Sequence, residues 1–368
     1  MLIKFKCPKI KSIVMQNIEV SIKDINYKIK IGAGILKGFR PTFDASKYAI
    51  ITDTNVNKLY GKRLFDLLQK KGKVVTLVFK AGENSKNLET VGKILTELAK
   101  NNFDRDTLII ALGGGVVGDL GGFVASMYLR GIRYAHIPTT LLAQVDSSVG
   151  GKTGVNLMEG KNLAGSFYHP LEVLIDVDTL KTLPEREIKN GLAEVIKYAV
   201  TLDEELFDYL ERNYSKRNKD FYLKIISESC RIKARIVKKD EKEKELRKVL
   251  NYGHTIGHAI EKESNYKISH GEAVGIGMAY EGKISAELGI MDLDDLKRQN
   301  KIIGSMGLPL VYKGNVDALI KIMGYDKKTK DGKLYFILPE NIGKVKTEKG
   351  KVAFPVKESI VRKILARI

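Results

Sequence analysis

The chain is poor in the residues that build stapled, secreted or base-stacking modules. Its 368 residues include no tryptophan, two cysteines and five histidines. Cys7 and Cys230 are too far apart in sequence to make a disulfide framework or a CxxC metal knuckle, which points to a reducing, cytoplasmic setting. No stretch reaches the ~18 apolar residues of a membrane span, so none is expected. The opening MLIKFKCPKIKSIV scatters basic residues and lacks an apolar core segment, so no secretory leader is expected either. Acidic residues are also in deficit, 44 against 63 Lys and Arg, for a formal charge of +19. That excess raises nucleic acid as a partner. However, the lysines are spread along the whole chain, with no arginine-rich block and no aromatic interleaving. Residues 237–249 (VKKDEKEKELRKV) mix signs and read as a solvated helix face. Anionic small molecules attract the same charge, and nucleic acid is not the expected partner.

What is present is an ordinary globular composition, 43% hydrophobic and 29% charged. The length favours two domains. Residues 48–52 (YAIIT), 74–79 (VVTLVF) and 107–112 (TLIIAL) read as buried parallel strands, and 134–137 and 173–177 continue the series. Residues 87–98 have helical spacing, and Gly82 marks a turn. The alternation predicts an α/β, Rossmann-like parallel-sheet domain over 1–183. Beyond Pro184 the pattern turns helical. Residues 185–210 and 221–249 are each read as one long helix, followed by 257–263, 272–288 and 292–306. A small hairpin pairing 334–338 with 344–346 and a closing helix over 357–368 are expected at the end. Residues 184–368 are thus predicted to form a mostly helical domain, with a cleft at the junction, where small-molecule sites usually lie.

Two patterns carry chemistry. The TLIIAL strand runs into Gly113-Gly114-Gly115-Val116-Val117-Gly118-Asp119, which fits G-x-G-x-x-G between strand and helix. Without Cβ atoms, backbone N–H groups can approach a pyrophosphate at a helix N-terminus; the plainer reading is close helix–sheet packing. The motif sits on a third strand rather than a first, and no acid ends a strand about 20 residues later. Asp53, after YAIIT, is the best candidate for a ribose contact. Separately, His254, His258 and His270 fall within 17 positions of a histidine-poor chain. His254 and His258, at i and i+4, share one helix face, as in zinc helices. Glu194 lies in an apolar helix with Lys197 three residues on, costly to bury unpaired. A carboxylate of this kind would complete a metal site, but spacing leaves open which two histidines join it.

Segments 113–156, 191–198 (GLAEVIKY), 251–258 (NYGHTIGH) and 270–274 (HGEAV) closely resemble 3-dehydroquinate synthases, within the sugar-phosphate cyclase group. The likeness runs from about residue 47 to about residue 340. It implies an NAD-binding α/β domain, a helical metal-binding domain and a homodimer with a shared active site. The implied metal ligands, for zinc or cobalt, are Glu194, His254 and His270, leaving His258 to contact substrate phosphate and handle protons. Implied NAD contacts are Asp53, Asn55, Ala81, Gly82, Glu83, Asn84, Ser85, Lys86, Gly115, Val116, Val117, Gly118, Asp119, Thr139, Thr140, Lys152, Lys161, Thr179, Leu180, Lys181 and Thr182. Lys197, His258, Asp146 and Asn251 are implied in catalysis. Arg130 (reaching into the neighbouring subunit), Lys152, Asn162, Lys233, Arg247 and one of Lys327 and Lys328 are implied in substrate binding. The implied reaction acts on 3-deoxy-D-arabino-heptulosonate 7-phosphate. Transient oxidation at C5 permits phosphate elimination, the hydride returns, and an intramolecular aldol step closes the ring. Gripping a carboxylate and a phosphate calls for many cations. The competing readings are another sugar-phosphate cyclase and a metal-dependent alcohol dehydrogenase of the glycerol dehydrogenase type, which would accumulate NADH and need fewer of them.

Overall fold

The computed structural model describes residues 15–23, 25–325 and 333–366. Seven strands form the main sheet: β1 (Gln16–Ile22), β2 (Ile25–Gly32), β3 (Lys47–Asp53), β4 (Lys73–Phe79), β5 (Leu108–Gly113), β6 (Tyr134–Pro138) and β9 (Glu172–Asp176). They lie in the order β1-β2-β9-β6-β5-β3-β4, parallel throughout except for the β1–β2 hairpin. The apolar runs are fully buried where both faces are covered: every residue of β5, β6 and β9 is buried. Counted from β3, the parallel strands follow the order 2-1-3-4-5, a doubly wound arrangement whose direction reverses between β3 and β5. Ligands bind in the crevice beyond the strand ends at such a reversal. The glycine turn therefore belongs on the third strand: β5 is the strand beside β3, with Leu112 paired to Thr52 next to Asp53.

Two elements were not read from the sequence. The β1–β2 hairpin caps one sheet edge, and its alternating Ile18, Val20, Ile22, Tyr27, Ile29 and Ile31 pack with Val195, Ile225 and Ile226 of the helical half. Strand β7 (Lys152–Leu157) pairs antiparallel with β8 (Gly160–Phe167), outside the main sheet, and β7 packs on the glycine helix Gly115–Met127.

Past β9 the chain is helical: Glu185–Leu202, Glu204–Asn213, Lys219–Lys239, His254–Glu263, His270–Glu287, Leu293–Ser305 and Val316–Tyr325. The expected single helix over 185–210 is two, because Asp203 leaves helical geometry and caps the second by accepting from Leu206 N. The expected helix over 221–249 stops at Lys239. Asp240 turns the chain there, its carboxylate accepting from the backbone N–H groups of Lys244, Glu245 and Arg247. The terminal hairpin is paired differently from expectation: β10 (Leu334–Ile337) pairs with β13 (Ala353–Val356), while β12 (Lys344–Val345) pairs with β11 (Pro339–Asn341). The closing helix spans Glu358–Ala366. Among the described residues no helix is long and apolar enough to cross a membrane.

Candidate active site

The glycine turn is built by packing as well as by openness. None of Gly113, Gly114, Gly115 and Gly118 has positive φ. A Cβ on Gly113 would lie 2.4 Å from Val117, and one on Gly118 would lie 2.3 Å from the His136 ring, so both are excluded by contact. A Cβ on Gly115 would instead face Ser147 Oγ at 3.2 Å, a buried hydroxyl with no hydrogen-bond partner among the described residues. The helix after the turn has no side-chain cap at Gly114, which leaves its first N–H groups without a side-chain acceptor at the N-cap. Both readings of the motif thus hold, each for different glycines.

Around this crevice lie most of the residues linked to NAD by resemblance. Asp53 accepts from Asn55 N and Val56 N at 2.8 and 2.9 Å, capping the helix that follows β3. Ala81 N donates to Thr54 Oγ1, and the 3-10 turn Glu83–Ser85 follows. Buried Lys86 bonds Asp119 at 2.6 Å and Asn162 at 2.5 Å; burial nevertheless pushes the Asp119 carboxyl up. Thr139 N donates to Gly113 O, Thr140 faces Gly114, and the 3-10 segment Val177–Thr182 is tied in by Tyr60 to Thr182 and by Gln144 to Thr179. Lys181, however, is mostly exposed and pairs with Asp178.

The metal-type donors come from three helices. Glycines let two of them touch: Cβ atoms on Gly257 and Gly277 would lie 3.1 Å from Ala273 O and 1.9 Å from Gly253 O. Glu194, 1% exposed, rides the buried face of Glu185–Leu202. Its Oε1 lies 3.3 Å from His254 Nε2 and 3.2 Å from His270 Nε2, with the three donor atoms within 4.8 Å of one another. The other ring nitrogens are held from behind: His254 Nδ1 by Tyr252 O at 3.0 Å, His270 Nδ1 by Glu261 at 3.4 Å. Burial works against ionising Glu194, but Lys197, His254 and His270 keep its carboxyl well below the ordinary range. Burial likewise opposes a charged His270, yet its bonds to Glu194 and Glu261 lift it to about 10. Two imidazoles and a carboxylate with oriented back sides are a donor set that would suit one divalent ion such as zinc. His258, 44% exposed at its side chain, stands off this set, its Nε2 4.0 Å from Glu261 and its ring edge-on to His254.

Beside the cluster sits a dense set of paired charges. Lys197 bonds Glu194, Lys233 lies 2.7 Å from Asp146, and Lys152 bonds Glu243, which also accepts from Asn251 at 2.7 Å. Burial would raise the Asp146 carboxyl, but Lys233 and Lys197 hold it well below its usual range, and Tyr198 donates to it. Burial lowers Lys233 even so. Arg247, 2% exposed, donates to the neutral carbonyls of Glu241 and Gly150. Arg130 is exposed at the C-terminal end of the glycine helix, in a left-handed stretch with Leu129. Lys327 and Lys328 lie outside the described residues. Sequence reasoning missed Glu243, Glu261 and Tyr198. Of these, Glu261 left a signal, standing seven residues after His254 and three after His258 on one helix face.

A switch-point crevice opening beside three convergent metal-type donors and a bank of lysines defines a nucleotide- and metal-using enzyme of the two-unit α/β-plus-helical kind. Comparison with known proteins narrows this. Models of the 3-dehydroquinate synthase N-terminal and C-terminal regions match residues 76–190 and 191–329. A 3-dehydroquinate synthase from Thermodesulfovibrio yellowstonii is 46% identical over 95% of this chain and 99% of its own. One from Dictyoglomus thermophilum is 47% identical over 90% and 94%. Among solved structures, a 2-deoxy-scyllo-inosose synthase complexed with carbaglucose-6-phosphate, NAD+ and Co2+ is 29% identical, with a TM-score of 0.87 over 95% of this chain and 99% of that one. The 2-epi-5-epi-valiolone synthase of Streptomyces hygroscopicus, with NAD+ and Zn2+ bound, is 28% identical, with a TM-score of 0.84 over 94% and 97%. A glycerol dehydrogenase from Schizosaccharomyces pombe, at 17% identity and a TM-score of 0.60 over 88% and 84%, shares the fold alone. The chain belongs to the 3-dehydroquinate synthase family.

Proposed function

We propose that the chain converts 3-deoxy-D-arabino-heptulosonate 7-phosphate to 3-dehydroquinate and phosphate, as an NAD- and metal-dependent carbon–oxygen lyase of the shikimate pathway. The observation that carries this reading is the meeting of Glu194 Oε1 with the Nε2 atoms of His254 and His270 beside Lys197, Lys233, Lys152 and Arg247. An alcohol dehydrogenase acting on a neutral polyol has no use for so many cations. Residues 1–183 are the nucleotide unit and 184–368 the metal and substrate unit.

Glu194, His254 and His270 would hold zinc or cobalt, and the β3–β5 crevice would hold NAD. When bound, these groups supply polarisation of a substrate hydroxyl and a reversible hydride acceptor. The chain's own residues do the rest. Lys152, Lys233 and Arg247, with Asn162 and Asn251, grip the carboxylate and phosphate ends. Asp146 stays ionised between Lys233 and Lys197 and keeps both ammonium groups aimed inward. His258 contacts the phosphate and moves protons at its ring nitrogens. Burial of Glu194 and Lys197 excludes water from the reacting centre.

The chain works as a homodimer in the cytoplasm, with Arg130 completing the partner's site and no nucleic acid involved. Exposed Met127, Leu129 and Phe167, at the end of the glycine helix and of β8 near Arg130, support a covered face there. The free, buried thiol of Cys230 suits a reducing compartment. Replacing Glu194 or His270 by alanine should abolish phosphate release and metal retention together. Full activity in either variant would contradict the assignment.

A further inference from the structure

Glu261 is a buried carboxylate that the catalytic reading does not use. It sits on the last turn of the His254–Glu263 helix, 6% exposed. Oε2 lies 3.4 Å from His270 Nδ1, on the far side of the ring from Glu194. Oε1 lies 3.4 Å from Lys161 Nζ, and that ammonium also sits 3.9 Å from the Tyr266 ring centroid. Lys161 belongs to β8 of the β7–β8 hairpin, so one side chain joins that hairpin to the helix carrying His254.

We propose that Glu261 is a positioning residue that, anchored by Lys161, fixes the His270 ring so that Nε2 faces Glu194 and His254 as a metal ligand. The proposal rests on the metal-centre reading above. An imidazole presents a metal with one nitrogen only when the proton sits on the other, and the hydrogen bond at the back of the ring decides which. His254 obtains this from a backbone carbonyl, Tyr252 O. His270 depends on a side chain, and that side chain is held by an ammonium and packed too deeply to drift. His258, Glu261 and His270 are close enough to suggest a second cation site. The Lys161 ammonium already supplies the positive charge there, which favours the supporting role.

The test is metal retention, read without turnover. Purified wild-type, Glu261→Ala, Glu261→Gln and Lys161→Ala proteins are loaded with zinc and titrated with a competing chelator, and the metal-free forms are melted as a folding control. Glu261→Ala should hold zinc about 10- to 100-fold less tightly. Glu261→Gln should fall between, since its amide oxygen still accepts from Nδ1 without the charge. Lys161→Ala should weaken zinc retention by a few-fold, less than Glu261→Ala, because the anchor is lost while the carboxylate behind His270 remains; retention equal to wild type would remove Lys161 from the arrangement. Zinc retention by Glu261→Ala within twofold of wild type would overturn the proposal; if that variant does not fold, wild-type retention by the near-isosteric Glu261→Gln would do so. Glu194→Ala serves as the separate control: undiminished zinc retention there would defeat the metal centre itself.

Discussion

Buried side chains in this chain are held in one protonation state by their surroundings, and His136 is the clearest case away from the metal cluster. It lies on β6 beneath Gly118, buried, with Nε2 unpartnered among the described residues. Burial lowers its pKa to about 4, only partly offset by its hydrogen bond to Gly113. The folded state therefore binds fewer protons than the unfolded one. Stability is intact above about pH 6.5 and is lost as pH falls toward 4, by about 3 kcal/mol from this group. His136→Asn, which cannot charge, should lose that much less between pH 6.5 and 4 in urea melts; an unchanged pH slope would show His136 is not the group responsible. The same scale sets what sequence could reveal. Three clustered histidines in a chain with five, and a glutamate in an apolar helix, were visible because they break local expectation. Glu243 and Tyr198 were not, since a glutamate in a mixed-charge run and a tyrosine in a helix are ordinary until the fold turns them toward Lys152 and Asp146.

At the level of elements, the metal cluster exists because two helices approach more closely than side chains allow. Gly277 faces Gly253 O at 1.9 Å from where its Cβ would sit, and Gly257 faces the backbone of Ala273. Gly277→Ala should gain up to ~1 kcal/mol of helix propensity but pay for overpacking by about 3 kcal/mol. It should therefore lower the melting temperature by several degrees and weaken zinc retention, because His254 and His270 are drawn apart. Wild-type melting and zinc retention would refute this packing argument. Elements buried on both faces were readable as apolar runs. The β1–β2 hairpin makes no such run: its apolar residues alternate with lysine, glutamate and asparagine, the weaker pattern of strands buried on one face. The helix ends at Asp203 and Asp240 were missed because capping depends on which backbone N–H groups a carboxylate meets, while helical periodicity continues past both.

Across the whole molecule, topology explains what a motif search left puzzling. A glycine turn on the third strand looks misplaced until the sheet order puts β5 beside β3, so that Gly113–Asp119 and Asp53 border one crevice. The length and the change of periodicity near Pro184 suggested two units facing each other; nothing in the sequence marks the first hairpin as packing on the helical half. The net positive charge is partly local. Lys152, Lys197, Lys233 and Arg247 converge near one cluster, where Glu243, Glu194, Asp146 and backbone carbonyls pair with them.

The central claim is that hydride is taken and given back beside a metal held by Glu194, His254 and His270 while phosphate leaves. Purified protein with NAD, zinc or cobalt and the heptulosonate phosphate should release one phosphate per substrate consumed, with no lasting rise in absorbance of reduced cofactor, and a chelator should stop it. NADH accumulating in step with substrate loss, without phosphate release, would contradict the account.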